Sequence, residues 1–570
     1  MANNMSNINK MKEKILKIVN KTYFPLLITI IMNLFLVIIF NFFCEINYET
    51  IDDFTISNIL SKTDGTYNFY TIHIHPILSY FIMMLYKTKI NINFYSLFLL
   101  IMQFVSFTVI GNVIISNNRK LGIPIYLLII STIYTRMLEN VQYTSVAALA
   151  ILSGVIWLIE CNEKEKCKSK FGALFLIIIG IMLRYKAIVI VLPFYILYVT
   201  IDYYKKKRKN TILNFMFIII ALVILYITNY ILYNYNSTYK KYSEFNDIRT
   251  YFFDYYIFDY NSNKEVLKEI GYTKDDYDML YSYSQCDENN YNIDMLYKLK
   301  AKIDGQSEEE YIGKIINTLK LTVIYIEKVY WRLTLINFIL LLISYVFKRN
   351  RLHTTICFIL NLMLLYILIY THPVYRVILS AYMSSMIMMC YYICIGKKEK
   401  TNYINIIIAL IIFITIFNFY TTIKSASIYK KENYLYLREI IDYTKQNKEN
   451  AYIYSTSLNS TYLSYSLLER IEDDSFINLR SMSDWDIYNK EYYDFKNRYQ
   501  LNNIIEDLYK KDNVYLITGN TRTAHNTVIF DHIELIQRYI KQHYNIDVQY
   551  RIEKEFKNNI KIYKLYEERY

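Results

Sequence analysis

Apolar runs recur along this chain from Phe24 to Ile423, and several are long enough to cross a bilayer, whose hydrocarbon core takes about 20 residues of upright helix. A chain of 570 residues that is 54% hydrophobic, holds only 11 Gly and 5 Pro, and gathers its apolar residues into such runs reads as an α-helical polytopic membrane protein, not a soluble enzyme with a large core. The expected spans are 24–43, 94–115, 121–135, 142–159, 170–183, 187–200, 211–233, 325–347, 352–370, 374–395 and 403–423, about eleven in all. Met1–Lys21 is Lys-rich and the run after it lacks an A-x-A-like end, so Phe24–Phe43 reads as a retained first span and not as a cleaved signal. Heavy use of Ile, Asn, Lys and Tyr looks like an AT-rich bacterial genome.

The formal charge of +13 does not indicate nucleic acid, because the Lys and Arg gather in short loops between runs, as an anionic cytoplasmic leaflet favours. Met1–Lys21, Asn117–Lys120, Asn162–Lys170, Lys205–Lys209, Lys348–Arg351 and Lys397–Lys400 are therefore expected in the cytoplasm, with an even number of crossings between neighbours. Only two crossings fit before Asn117, and 24–43 and 94–115 supply them. The apolar stretch Pro76–Tyr86 then reads as an interfacial helix and not a span. The same parity puts 44–93, 234–320, the turn Thr371–Arg376 and the tail 424–570 outside. Asp52, Asp53, His73, His75, Arg136, Glu139, Arg184, Lys186, His372 and Arg376 fall together at that outer face, where a charge between apolar helices must be hydrated, paired or used.

The chain divides by composition into a membrane module, 1–423, and a C-terminal extracytoplasmic α/β domain, 424–570. In the tail, alternation at Ala451–Ser455, Asn513–Thr518, Val548–Glu553 and Ile560–Leu565 predicts strands, and Tyr434–Gln446, Leu501–Lys511 and His532–Tyr544 predict amphipathic helices. The loop 234–320, with Asp247, Asp254, Asp259 and a helical pattern at Ile293–Ile303, is too long for a mere connector. The seven cysteines have neither zinc nor disulfide-framework spacing and read as small apolar fillers. No P-loop, dinucleotide fingerprint, nucleophile elbow or zinc-protease helix occurs, so ATP-driven and flavin chemistry are unsupported. The acidic pair Asp52-Asp53, in a polar loop just after the first run, points instead to carboxylate chemistry at a membrane face.

The stretch IDDFTISNILSKTDGTYNFYTIHIHPILSYFIMMLYK resembles the first outer loop of the C-type (GT-C) glycosyltransferases, membrane enzymes that use polyprenyl-phosphate sugars and include protein O-mannosyltransferases and lipid A aminoarabinose transferases. There a first span leads into a loop opening on Asp-Glu or Asp-Asp, then interfacial helices headed by a basic residue and proline, then a second span. Asp52-Asp53 matches the acidic pair, and His75-Pro76 is similar to the basic-Pro element. The stretches VQYTSVAALAILSG, GIMLRYKAIVIVLPF and FNDIRTYFFDYYIFDY look like a Firmicute branch of the group. The chain departs in having Asp-Asp where mannosyltransferases have Asp-Glu, and Ile77 where many relatives have a second proline. No WWDYG-type motif of oligosaccharyltransferases is present, which argues against transfer to asparagine.

The resemblance implies a polyprenyl-phosphate sugar as donor and a cell-surface glycan, glycolipid or protein as acceptor. A hydroxyl attacking the anomeric carbon must lose its proton, which a carboxylate can take; Asp52 is the expected base, with Asp53 beside it. The departing lipid phosphate needs cations and no general acid, a role for Arg184, Lys186, Arg376 and Arg136, with His73, His75, Glu139 and His372 as further substrate contacts. Direct displacement inverts the anomeric centre. The sequence implies no particular cofactor, and a divalent cation on Asp52-Asp53 stays open. Plainer readings stand beside each of these: the acidic pair can simply begin a helix, the histidines can be neutral interfacial residues, and Arg184 and Lys186 can snorkel to headgroups. A non-catalytic protein of cell-surface polysaccharide assembly is the alternative function. A lipid-linked sugar flippase fits less well, since the runs carry few charges and show no related halves.

Overall fold

With no water inside an apolar run, the backbone satisfies its own N–H and C=O groups by closing a helix, and this chain does so repeatedly. The computed structural model describes residues 21–164, 170–252, 260–304, 311–371, 373–395, 403–426, 431–482, 486–522 and 529–568. Among them, nine helices are long and apolar enough to cross a membrane: Phe24–Phe43, Phe94–Asn117, Arg119–Glu139, Tyr143–Glu163, Tyr185–Lys206, Lys209–Asn234, Arg351–Thr371, Tyr375–Cys394 and the helix beginning at Ile404. Two of the eleven expected spans are not in that set. Lys170–Leu183 has 14 residues, about 21 Å of helix, short of a hydrocarbon core. The run at 325–347 breaks at Val329-Tyr330, where Ile315–Lys328 and Trp331–Val346 meet at 86°. The break contains neither Gly nor Pro; Tyr330 turns its ring onto Tyr375 and Tyr382, with centroids 6.2 and 6.0 Å away. Pro76–Tyr86 is a helix of 11 residues, also too short to cross.

The chain forms two compact units, each assembled from three stretches. The first comprises Met1–Glu49, Phe98–Leu225 and Thr318–Tyr429. At its centre lie Tyr143–Glu163 and Tyr375–Cys394, both almost wholly buried. Tyr143–Glu163 meets Lys170–Leu183 at glycines: a Cβ on Gly154 would stand 2.6 Å from the carbonyl oxygen of Ala173, and one on Gly180 2.8 Å from that of Ala147. At the periphery, Phe35, Ile38 and Phe42 on one helix and Leu213, Met216 and Ile220 on another stand exposed. Bare apolar faces of this extent fit a lipid surround. Strands β1 (Asn47–Tyr48) and β2 (Asn140–Val141) pair in parallel within this unit.

The second unit comprises Thr50–Leu97, Tyr226–Asn317 and Lys430–Tyr570. Its sheet contains β3 (Ala451–Tyr454), β4 (Leu479–Ser481), β5 (Val514–Thr518), β8 (Val548–Glu555) and β9 (Lys561–Glu567), in the order β4-β3-β5-β9-β8. The first three are parallel and β9 and β8 antiparallel; β6 (Asn520–Arg522) and β7 (Ile529–Asp531) form a separate ribbon. All four strands expected in the tail are present, as are helices at Leu435–Gln446, Ile504–Lys510 and His532–Tyr544. The stretches Thr50–Leu97 and Tyr226–Asn317 belong to the same compact unit as Lys430–Tyr570. The physical cause is a shared core. Phe245, Leu267, Met279, Leu280 and Leu299 of the large loop are too few to bury one another and pool with Ile453, Ile505, Leu516 and Ile536 of the tail. The six described cysteines, Cys44, Cys161, Cys286, Cys357, Cys390 and Cys394, are buried and none forms a disulfide, as fillers would be.

Candidate functional site

The acidic pair opens the helix Ile51–Ser61 of the second unit, with both carboxylates in the first turn near the positive end of the helix dipole. Neighbouring helical positions point about 100° apart, so the two cannot share an environment. Asp53 is fully buried and accepts a 2.7 Å hydrogen bond from the hydroxyl of Tyr95, itself fully buried. Around Tyr95 runs a polar cluster in which the hydroxyl of Tyr86 donates to Asn93 Oδ1 at 2.6 Å, as does that of Ser57 at 3.1 Å. The backbone N–H of Tyr95 donates in turn to the Tyr86 hydroxyl. Asp52 is only half-buried. Of the pair, Asp53 is the anchor and Asp52 the member that solvent reaches.

His75 caps the helix Pro76–Tyr86: its Nδ1 accepts from the N–H of Ile77 at 3.3 Å, and Nε2, which then carries the proton, donates to Thr228 Oγ1 at 3.0 Å. Both ring nitrogens are thereby occupied. His73 is half-buried two residues upstream, next to Ile72, a β-branched residue at φ 59°. That left-handed backbone is unfavourable for isoleucine, and the hydroxyl of Tyr233 holds it by accepting the Ile72 N–H at 2.7 Å. Nothing in the sequence signals this strained turn.

The basic candidates belong to the first unit, and Arg136 and Arg376 lie beside the β1–β2 bridge. That bridge is continued by the N–H of Glu49, which donates to the carbonyl of Val141 at 3.0 Å. Arg376 Nη1 lies 3.8 Å from Glu49 Oε1, and Arg136 Nη1 donates to the hydroxyl of Tyr375, the neighbour of Arg376, at 3.4 Å. Glu139 accepts from Ser425 Oγ at 3.3 Å. Arg184 lies between the Lys170–Leu183 helix and the turn Tyr185–Ala187, its guanidinium 5.6 Å from the ring of Tyr143; Lys186 in that turn is exposed. His372 lies outside the described residues, as do Asp254 and Asp259. Glu49 and Tyr375 are partners that the sequence reading passes over. Their only cue is proximity in sequence, Glu49 three positions before Asp52 and Tyr375 beside Arg376.

Two guanidiniums and a tyrosine hydroxyl can hold an oxyanion, with Glu49 and Glu139 limiting the net positive charge. Among the described residues no group of three or more His, Cys, Asp and Glu is arranged to hold a metal ion, so Asp52 and Asp53 lack a third ligand of that kind. Comparison of the chain with family models, with curated proteins and with solved structures found no match.

Proposed function

We propose that this chain is an integral membrane glycosyltransferase of the GT-C kind, moving a sugar from a polyprenyl-phosphate donor to an extracytoplasmic hydroxyl acceptor with inversion, its N-terminus cytoplasmic and its C-terminal domain, 424–570, extracytoplasmic. The observation that carries the reading is the order of elements. An apolar helix, Phe24–Phe43, is followed by a helix with Asp52-Asp53 in its first turn, then a short apolar helix led by His75-Pro76, then the apolar helix Phe94–Asn117. On this reading Asp52 accepts the proton of the attacking hydroxyl, since it is the accessible carboxylate of the pair. Arg136, Arg376 and Arg184 hold the phosphate and stabilise its charge as the sugar leaves.

One observation favours the alternative, a non-catalytic protein of cell-surface polysaccharide assembly: Asp53 and His75 both serve the fold through hydrogen bonds. The test separates the two readings. With purified protein, a polyprenyl-phosphate sugar and a hydroxyl acceptor, Asp52→Asn is expected to lower turnover by about 10²–10⁴-fold, the usual weight of a positioned base, with donor binding and melting temperature retained. Full turnover in a folded Asp52→Asn protein would sink the carboxylate-base mechanism.

A further inference from the structure

A second polar site lies in the second unit, on the other side of the helix that carries the acidic pair. Ile51, Phe54, Thr55 and Asn58, spaced as one face of the Ile51–Ser61 helix, line a cavity of about 50 Å³ whose far wall includes Asp64, Arg480 and Asp486. Arg480, on β4, is 2% exposed. Its Nη1 donates to Asp64 Oδ1 at 2.7 Å, while its Nε has no hydrogen-bond partner. A buried N–H without an acceptor is rare, and beside a cavity it calls for an occupant that accepts. Asp486 brings a second carboxyl to the same guanidinium and accepts the N–H of Ser481 at 3.1 Å. Burial pushes its titration up to about 6, leaving it mostly an acceptor near neutrality. The rings of Phe54 and Phe476, edge to face at 6.1 Å, add an apolar wall.

These groups select among ligands. A phosphate would meet Asp64 and Asp486, and a metal cation would meet the Arg480 guanidinium; both are disfavoured by like charge. A sugar hydroxyl donates and accepts at once, which suits an unpaired N–H next to a carboxyl, and the C–H face of a sugar ring suits aromatic carbon. At about 10–15 Å³ for each water the cavity holds only a few, so it admits the edge of a ring and not a whole lipid-linked donor.

We infer that this cavity is a saccharide subsite, in which Arg480, Asp486 and Asn58 bind hydroxyls on the edge of a terminal sugar ring that enters beside the carbon of Phe54 and Phe476. Its assignment to the acceptor rests on the glycosyl-transfer reading; the binding itself does not. The probes are the methyl glycosides of glucose, galactose, mannose and N-acetylglucosamine, titrated into the purified full chain in detergent and followed by saturation-transfer NMR, with glycerol and inorganic phosphate as controls. Saturable binding of a glycoside, at least roughly tenfold weaker in Arg480→Lys, is expected from loss of a charged hydrogen bond. Thr55→Leu, which fills the cavity without touching the ion pair, should abolish it and decides the matter if Arg480→Lys fails to fold. The inference is overturned if no glycoside binds the folded wild type, if phosphate binds in its place, or if Thr55→Leu binds as wild type does. Glycoside binding at this cavity in a protein that never transfers sugar would leave the subsite standing and remove the transfer reading. Transfer that is indifferent to cavity variants would do the reverse.

Discussion

At the scale of single residues, the acidic pair divides its labour by burial. Asp53 accepts from Tyr95 inside a polar cluster, and a carboxylate kept that far from water depends on its donors. Tyr95→Phe removes one of them and is expected to cost about 1–3 kcal/mol, read as a lowered unfolding midpoint in detergent. Asp53→Asn keeps an acceptor but loses the charge. Because the two residues share one interaction, the double variant should cost less than the sum of the singles. Simple additivity would mean that the Tyr95 hydroxyl contributes nothing to holding Asp53. Asp52, half-buried on the next helical direction, should tolerate Asn with little change in stability, and so its kinetic effect can be read cleanly.

At the scale of elements, the hairpin of Tyr143–Glu163 and Lys170–Leu183 is held by close approach. In an apolar surround there is little hydrophobic force between two helices, so contact must come from van der Waals packing of small residues. Gly180 and Gly172 lie on the same helix and test this. A Cβ on Gly180 would meet the backbone carbonyl of Ala147 at 2.8 Å and Ile151 Cγ1 at 2.6 Å, whereas one on Gly172 would meet only the ring of Trp157. A ring at the end of a side chain can swing; a helix carbonyl cannot. Gly180→Ala should therefore lower the melting temperature more than Gly172→Ala, by about 1–3 kcal/mol in stability, and equal effects would refute close packing at Gly180.

At the scale of the whole molecule, the second unit carries buried acids that tie its stability to pH. Burial, helped by Asp64, raises Glu491 to about 7, and Asp486 stands at about 6 for the same first reason. A carboxyl with a raised affinity keeps its proton in the folded chain at pH values where the unfolded chain has lost it. Stability contributed by that proton is complete below the ordinary carboxylate range near 4 and falls as pH rises through 6 to 7. His543, raised by its 2.6 Å contact with Asp276 against the opposing effect of burial, adds a term of the same sign, lost as pH rises through its folded value. Buried His532, held down to about 3, opposes this as pH falls through 6.5, but the two acids outweigh it, so thermal unfolding of the full chain should shift upward from pH 8 to about pH 5.5. The Asp486→Asn, Glu491→Gln double variant should flatten the profile, and an unchanged slope would exclude these two groups as its source.

The long helices were legible in the chain, because an apolar run kept from water satisfies its backbone by closing a helix, and so were the tail strands, because alternation with period two survives local reading. The sequence also located the acidic pair and the His-Pro helix start, since both depend on adjacent residues. Tertiary structure alone decided the rest. Strand β4, only Leu479–Ser481, is too short to show alternation and exists through its parallel pairing with β3. Which aspartate is buried turned on Tyr95, 42 positions away. The meeting of Arg376 with Glu49 required the β1–β2 bridge, and the Asp64–Arg480 pair joined residues 416 apart. That the large loop and the tail share one core is invisible locally for the same reason. Burial depends on which apolar surfaces are available to cover one another, and the chain settles that only when it is folded.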